Sequence, residues 1–186
     1  MSEPLRPGHY WKTPFLWEPG CPEPQPPAGL MFEPLAHDRL VALVARVMGQ
    51  SQDPSDQHAV AAHGERGAAE DLLSFAPEYF TWEPDWWSAA KTPQGDAVGF
   101  VLPVLFKAEE RSRDGRPQGT IFYIGVMPEH RGKGFAKALL ARATRIFIAA
   151  NCWRIFCDTS SDNQPMLRTF RSAGYMERKP WQRPVA

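Results

Sequence analysis

The sequence predicts a single α/β domain built on a mixed central sheet flanked by helices. Three observations carry that prediction. Apolar runs of strand length alternate with helical stripes, and the turn Pro93-Gln94-Gly95-Asp96 joins two strand-like runs into a hairpin. The run Thr120 to Met127 then leads through a glycine turn into a long amphipathic helix and a further strand. A chain of 186 residues buries roughly 70% of the surface its unfolded form exposes, so its core needs neither metal nor disulfide.

Residues 1–28 read as a proline-rich arm and residues 29–186 as the domain proper. Many of the chain's 19 prolines (Pro4, Pro7, Pro14, Pro19, Pro22, Pro24, Pro26 and Pro27) fall in the arm, where fixed φ and missing donors exclude a helix. Tyr10, Trp11, Phe15 and Trp17 make it apolar enough to lie along the domain surface; a solvated extension is the alternative. Leu30 to Leu35 reads as a short strand. Asp38 then caps a helix with the stripe Leu40, Val41, Val44, Val47 and Met48. Polar composition makes Gly49 to Gly67 a loop, and Ala68 to Phe80 a second helix broken near Pro77. Trp86 to Thr92 and Ala97 to Lys107 form the hairpin, in which Pro103 demands a bulge or an edge. Ala108 to Gly119 is a solvated loop before the strand Thr120 to Met127.

The long helix carries Phe135, Leu139, Leu140, Ala143, Ile146, Phe147 and Ala150 on one side. Trp153 to Thr159 is the next strand. Asp162 or Asn163 caps a helix with Pro165 in its first turn and the stripe Met166, Leu167, Phe170 and Ala173. Gly174 ends it, and Tyr175 to Gln182 is the last strand.

Composition excludes several function classes. With 21 basic and 21 acidic side chains the formal net charge is zero, which gives no field for nucleic-acid phosphates. Cys21, Cys152 and Cys157 are too few and odd in number for a disulfide framework, which points to a reducing compartment, the cytoplasm. The longest apolar run, Val98 to Phe106, is about half of what a membrane helix needs, and prolines stand where an export signal needs apolar residues, so no membrane partner is expected. Neither His58 with His63 nor Cys152 with Cys157 has ligand spacing, so no metal is expected. Cys157 lacks a companion His and reads as a buried strand thiol.

The chemistry concentrates in Val126-Met127-Pro128-Glu129-His130-Arg131-Gly132-Lys133-Gly134-Phe135-Ala136, where a strand stops and a helix starts. Glycines let a ligand approach the backbone, first-turn N–H groups lack partners, and Arg131 and Lys133 add cations, so this is an anion site. It matches neither the nucleotide P-loop nor the dinucleotide fingerprint.

Arg131 to Ala136 resembles the Arg/Gln-x-x-Gly-x-Gly/Ala turn of the GNAT superfamily of N-acetyltransferases. A second segment, Asn163, Met166, Phe170, Gly174 and Tyr175, is similar to that family's Asn-led motif. The resemblance implies the family's fold, with acetyl-CoA as co-substrate. It implies that the Ile124 N–H faces the thioester carbonyl, that Val126 and Met127 border the pantetheine chain, and that Arg131, Gly132, Lys133, Gly134, Phe135, Ala136 and Lys137 wrap the pyrophosphate. Asn163 and Phe170 would meet the cofactor from the next helix.

Two positions depart from the family. Phe170 stands where many members place the tyrosine that protonates the leaving thiolate, and it has no proton to give. Tyr175, Tyr123, Ser160, Ser161 or a water are the substitutes. The strand Thr120 to Met127 also lacks the general-base Glu of several members, leaving Asp158, Glu78, Glu83, Asp85 or a water relay.

Residues 78–87 alternate aromatics with acids, and aromatic faces with carboxylates suit a cation. Trp82 or Trp86 with Glu83 or Asp85 is therefore a candidate acceptor site, the alternative being core aromatics beside solvated acids. The expected activity is acetyl transfer to a primary amine of a small molecule or protein, without an acyl-enzyme, the acceptor partner being a small-molecule or peptide amine; a homodimer is compatible with it. The competing expectation is a non-catalytic acyl-CoA-binding sensor or interaction module of the same fold.

Overall fold

The computed structural model describes residues 4–25 and 29–185. Along the chain come β1 (His9–Trp17), β2 (Met31–Pro34), α1 (His37–Met48), α2 (Pro54–Tyr79), β3 (Phe80–Thr81), β4 (Ser88–Lys91) and β5 (Ala97–Phe106). There follow β6 (Gln118–Val126), α3 (Phe135–Ala149), β7 (Arg154–Ser160), α4 (Gln164–Ser172), β8 (Met176–Glu177) and β9 (Trp181–Pro184). One mixed sheet runs β2-β4-β5-β6-β7-β1-β8, with β3 paired to β5 and β9 to β1. Among these pairs only β6 and β7 are parallel, the arrangement that requires the α3 crossover.

The sheet buries both faces, as a single domain with central parallel strands must. On one face α3 and α4 pack Leu139, Leu140, Phe147 and Phe170 against Phe15, Val98, Val101 and Ile155. On the other, α1 and the second half of α2 pack Val41, Val44 and Leu73 against Phe100, Leu102 and Met127. Fully burying each such side chain contributes about 1.5–3 kcal/mol before the entropic cost of ordering the chain.

The mixed sheet with flanking helices is the architecture the sequence predicts, with local differences. The segment 9–17 is extended, as its prolines dictate, but it is a strand inside the sheet rather than a surface strap. It runs antiparallel to β7 from Lys12↔Ser160 to Trp17↔Ile155, and Tyr10, Phe15 and Trp17 are buried. Pro14 is tolerated there because β8 stops at Glu177, and the Pro14 carbonyl accepts from the Arg178 N–H just beyond it. Pro26, Pro27 and the boundary at residue 28 lie outside the described residues.

The expected loop 49–67 is largely helix. Asp53 caps α2 by accepting from the Ser55 N–H at 3.0 Å, and Pro54 occupies the first turn. Polar composition concealed this start because the helix there is mostly exposed; only at Gly64 (φ 72°, ψ 167°) is it interrupted by a kink. Pro77 lies inside the last turn without ending the helix earlier than Tyr79. At α1 the N-cap is Ala36, with Asp38 in the first turn. The final strand is two short pieces, β8 and β9.

Pro103 does mark a bulge, carried by the neighbouring strand. The register steps from Leu102↔Tyr123 to Pro103↔Ile121, leaving Phe122 as the extra residue while β5 continues unbroken.

Candidate active site

The site begins with a failure of pairing. β6 and β7 share only Gln118↔Arg154 and Gly119↔Ile155, after which the strands part. The bulge at Phe122 sits just past the last shared pair and bends β6, as bulges do. Consequently Ile121, Phe122, Tyr123, Ile124 and Val126 are only half-buried although they lie in a central strand.

Strand alternation decides what faces the gap. The Met127 N–H donates to the Val98 carbonyl at 2.9 Å, so Gly125 also turns its backbone groups to β5. The N–H groups of Ile124 and Val126 therefore point the other way, toward β7, where no strand pairs with them. Two aligned donors in a wedge between diverging strands can hold an extended chain or stabilise an oxyanion.

Below the wedge stands the glycine turn. Gly132 (φ 78°) and Gly134 (φ 83°) are left-handed, and a Cβ added at either would meet no heavy atom within 4 Å, so the turn's outer face is open. Gly134 is the N-cap of α3 and no side chain caps that helix, which leaves its first-turn donors and its positive dipole end for a ligand. The two expected cations are already engaged as braces. Arg131 donates to the carbonyls of Val126 at 3.4 Å and Gln50 at 3.0 Å, and Lys133 to that of Glu129 at 3.1 Å. Beside Gly134 a cavity of about 570 Å³ is lined by Lys137, Ala138, Ala141, the Arg171–Gly174 corner and the segment Pro22–Gln25.

On the α2 side of the wedge lies a network whose Lys12, Asp53 and Asp56 sequence reasoning missed, although it named Tyr123 and Asp158. Tyr123 donates its hydroxyl to the Asp56 carboxylate at 2.7 Å, and the Tyr10 hydroxyl lies 2.6 Å from Ser55 Oγ. Lys12 Nζ sits 3.3 Å from both Asp53 Oδ2 and Asp158 Oδ1. These side chains keep some exposure: 10% for Lys12, 17% for Asp53 and 18% for Asp158, so the network is not sealed from solvent. Burial pushes the Asp56 carboxyl above the usual carboxylate range, against the hydrogen bonds from Ser51 and Tyr123 that pull it down. Burial likewise draws the Lys12 ammonium down, but Asp158 and Asp53 together outweigh it and the net shift is upward. Burial, then the neighbouring Asp56, hold the Tyr123 phenol well above its ordinary value. The signal was present in Asp53-Pro54, a cap followed by a first-turn proline, but it lay inside a polar stretch.

The other expected residues are dispersed. Asp158 belongs to the network just described. Asn163 caps α4, its Oδ1 accepting from the Met166 N–H at 3.2 Å. Phe170 lies in the core, stacked on Phe15 at 4.7 Å and 2% exposed. Tyr175 is buried too, with its hydroxyl 2.7 Å from Thr144 Oγ1 on α3; burial holds its phenol well above the ordinary value. Trp82 stacks on Trp87 at 4.1 Å and Trp87 on Phe122, on the α1/α2 face. Trp86 meets Phe147 edge-on at 6.3 Å on the opposite face, and Glu83 and Asp85 are exposed. The sheet thus separates the two tryptophans. Cys152 and Cys157 are buried, which pushes their thiols up to about 12 and suppresses the thiolate in both. Among the described residues no group of three or more His, Cys, Asp or Glu is placed to hold a metal ion, and no helix is long and apolar enough to cross a membrane.

The model of the acetyltransferase (GNAT) family matches residues 51–175. The chain is 28% identical, over 186 aligned residues, to the mycothiol acetyltransferase of Nocardiopsis dassonvillei, covering 94% of this chain and 52% of that protein. It thus spans about half the length of that curated relative. Among solved structures, a GCN5-related N-acetyltransferase from Sphaerobacter thermophilus superposes with a TM-score of 0.60 at 16% identity, covering 97% of this chain and 53% of that one. An aminoglycoside antibiotic 6′-N-acetyltransferase from Acinetobacter haemolyticus superposes with a TM-score of 0.51 at 19% identity, covering 80% and 92%. At such identities the likeness is one of fold.

Proposed function

The chain belongs to the acetyltransferase (GNAT) family, and on that premise we propose that it transfers the acetyl group of acetyl-CoA to a primary amine. The observation that carries the reading is the wedge: β6 and β7 pair at two positions only, and the N–H groups of Ile124 and Val126 turn into the gap. The pantetheine arm fits there as a surrogate strand against Val126 alone; Met127, expected beside it, gives its N–H to Val98 and its buried side chain to the α1/α2 core. The Ile124 N–H then serves the developing oxyanion. The pyrophosphate rests on Gly132 to Lys137, where open glycines and uncapped donors suit an anion. Asn163 borders the cofactor from α4, and the nucleotide end reaches the cavity beside Lys137.

The acceptor is a small-molecule or peptide amine, a reading supported by the carboxylates that gather on the α2 side of the wedge. A cytoplasmic setting is our reading of the three cysteines, too few and odd in number for a disulfide framework and all free.

Thermal-shift titration with acetyl-CoA and free CoA, followed by an amine panel monitored for free thiol, tests this. At 100 Kd the native state gains about 2.7 kcal/mol, which moves Tm by several degrees. Gly134→Asp, which places charge and bulk in the open turn, abolishes the shift. Turnover with any amine above acetyl-CoA hydrolysis excludes a non-catalytic acyl-CoA sensor; no shift in the parent overturns the reading.

A further inference from the structure

We propose that the first turn of α2 carries the acceptor-amine site, with the Asp56 carboxylate as the group that removes the ammonium proton and Tyr123 and Lys12 as the residues that hold it in place and balance its charge. This rests on the acetyl-transfer reading of the wedge.

The geometry comes from one helix start gripping the strands that β6–β7 pairing leaves apart. Asp56 takes the hydroxyl of Tyr123 on β6, while Asp53, three residues earlier, meets Lys12 on β1, which also contacts Asp158 on β7. The α2 start therefore spans the wedge from side to side. Tyr123 immediately precedes Ile124, so the residue that fixes Asp56 adjoins the backbone donor that faces the thioester. A general base must lie near the amine that attacks that carbon, and this register places it there.

The charges suit a cation. Three carboxylates, Asp53, Asp56 and Asp158, stand against the Lys12 ammonium, with the Arg183 guanidinium on β9 acting on Lys12 more weakly than either Asp158 or Asp53, which leaves an excess of negative charge in a partly desolvated cleft. Every element around Asp56 contributes: Asp53 on its own helix, Ser51 before it, Lys12 on β1 and Tyr123 on β6. Asp158 on β7 acts through Lys12. Burial raises the Asp56 carboxyl, which moves it toward the range of an effective base without a change of residue type.

The step balances as follows. The acceptor R–NH3⁺ gives one proton to the Asp56 carboxylate. The freed lone pair forms the C–N bond to the thioester carbon as the carbonyl electrons move onto oxygen beside the Ile124 N–H. Those electrons return, the C–S bond breaks, and its pair leaves on the CoA sulfur. The second nitrogen proton passes to that thiolate through water, and Asp56 releases its own proton to solvent.

The test compares the parent with Asp56→Asn, which keeps the size and the acceptor for Tyr123, and with Tyr123→Phe. Probes are acetyl-CoA alone, by thermal shift, and a panel of a diamine, an amino sugar and a lysine peptide, by thiol release across pH. Asp56→Asn should retain the acetyl-CoA shift, lose about 100-fold or more in kcat/KM, and lose the acidic limb of the pH profile. Tyr123→Phe should lower kcat/KM by less than Asp56→Asn does and move that limb upward, because the hydrogen bond it removes stabilises and positions the carboxylate form. Wild-type kcat/KM with an unchanged acidic limb in Asp56→Asn overturns the assignment, as does a parent that binds acetyl-CoA and acetylates none of the panel. A parent that binds no acetyl-CoA withdraws the transferase reading itself, and this assignment with it.

Discussion

Tyr123 on the bulged central strand donates its hydroxyl to Asp56 in the first turn of α2 across 2.7 Å, tying one wall of the wedge to that helix through residues 67 positions apart. That bond is the side-chain counterpart of a missing backbone ladder. Where β6 and β7 stop pairing, the chain closes the opening with side chains, and a ligand can take the place that a strand leaves vacant.

Asp56→Asn should raise stability at neutral pH. Because burial raises the Asp56 carboxyl, the folded state holds its proton to higher pH than the unfolded state does, so stability falls as pH rises through that interval. A neutral Asn escapes this penalty. Chemical denaturation of both forms should therefore show a higher midpoint for the variant at pH 7 and a smaller difference in acid; equal midpoints at pH 7 would contradict the burial.

Lys12→Met should cost about 2 kcal/mol at neutral pH, less than the 3–5 kcal/mol of breaking a fully buried pair, because Asp53 and Asp158 keep partial solvation. The folded Lys12 ammonium lies above its ordinary 10.5, so its contribution is complete below that pH and disappears as pH climbs through the folded value. Urea midpoints measured from pH 8 to 12 should converge for parent and variant only at the alkaline end.

Phe170→Ala should destabilise by about 3–5 kcal/mol through the cavity left under Phe15, and leave acetyl-CoA affinity close to that of the parent. Tyr175→Phe should cost about 1 kcal/mol for the bond to Thr144 and leave kcat unchanged. Unfolding midpoints beside cofactor titrations check both. A loss of affinity without a loss of stability would place these side chains at the cofactor.

In the native protein a thiol reagent at pH 8 should modify Cys21 alone, since the other thiols are buried and pushed up to about 12. Cys157→Ala should keep full turnover, consistent with direct attack and no acyl-enzyme. Mass spectrometry of the labelled protein reads the first, and steady-state kinetics the second.

Much of this was legible in the sequence because it is local. The two glycines before Phe135 and the cap at Asn163 each act on neighbouring backbone, so chain order reveals them; Pro103 announces a bulge, but its extra residue, Phe122, lies on the partner strand. What was not legible is long-range. Nothing in the spacing of Lys12, Asp56 and Asp158 says that β1 lies against β7 or that α2 starts over Tyr123. The same holds for Trp82 and Trp86, four residues apart yet on opposite faces of the sheet, because the intervening turn reverses the side on which each packs. Phe170 fits the α4 stripe as well as a ligand motif, and both it and Tyr175, just past the helix end, are packed in the core.

The most direct test of the central claim is amide-resolved hydrogen exchange with and without acetyl-CoA. In the free protein the N–H groups of Ile124 and Val126, which face the gap, should exchange faster than those of Gly125 and Met127, which pair with β5. Acetyl-CoA should slow Ile124 and Val126 and the amides at the start of α3 together. Binding that leaves Ile124 and Val126 at their free rates would contradict the wedge as the cofactor's seat.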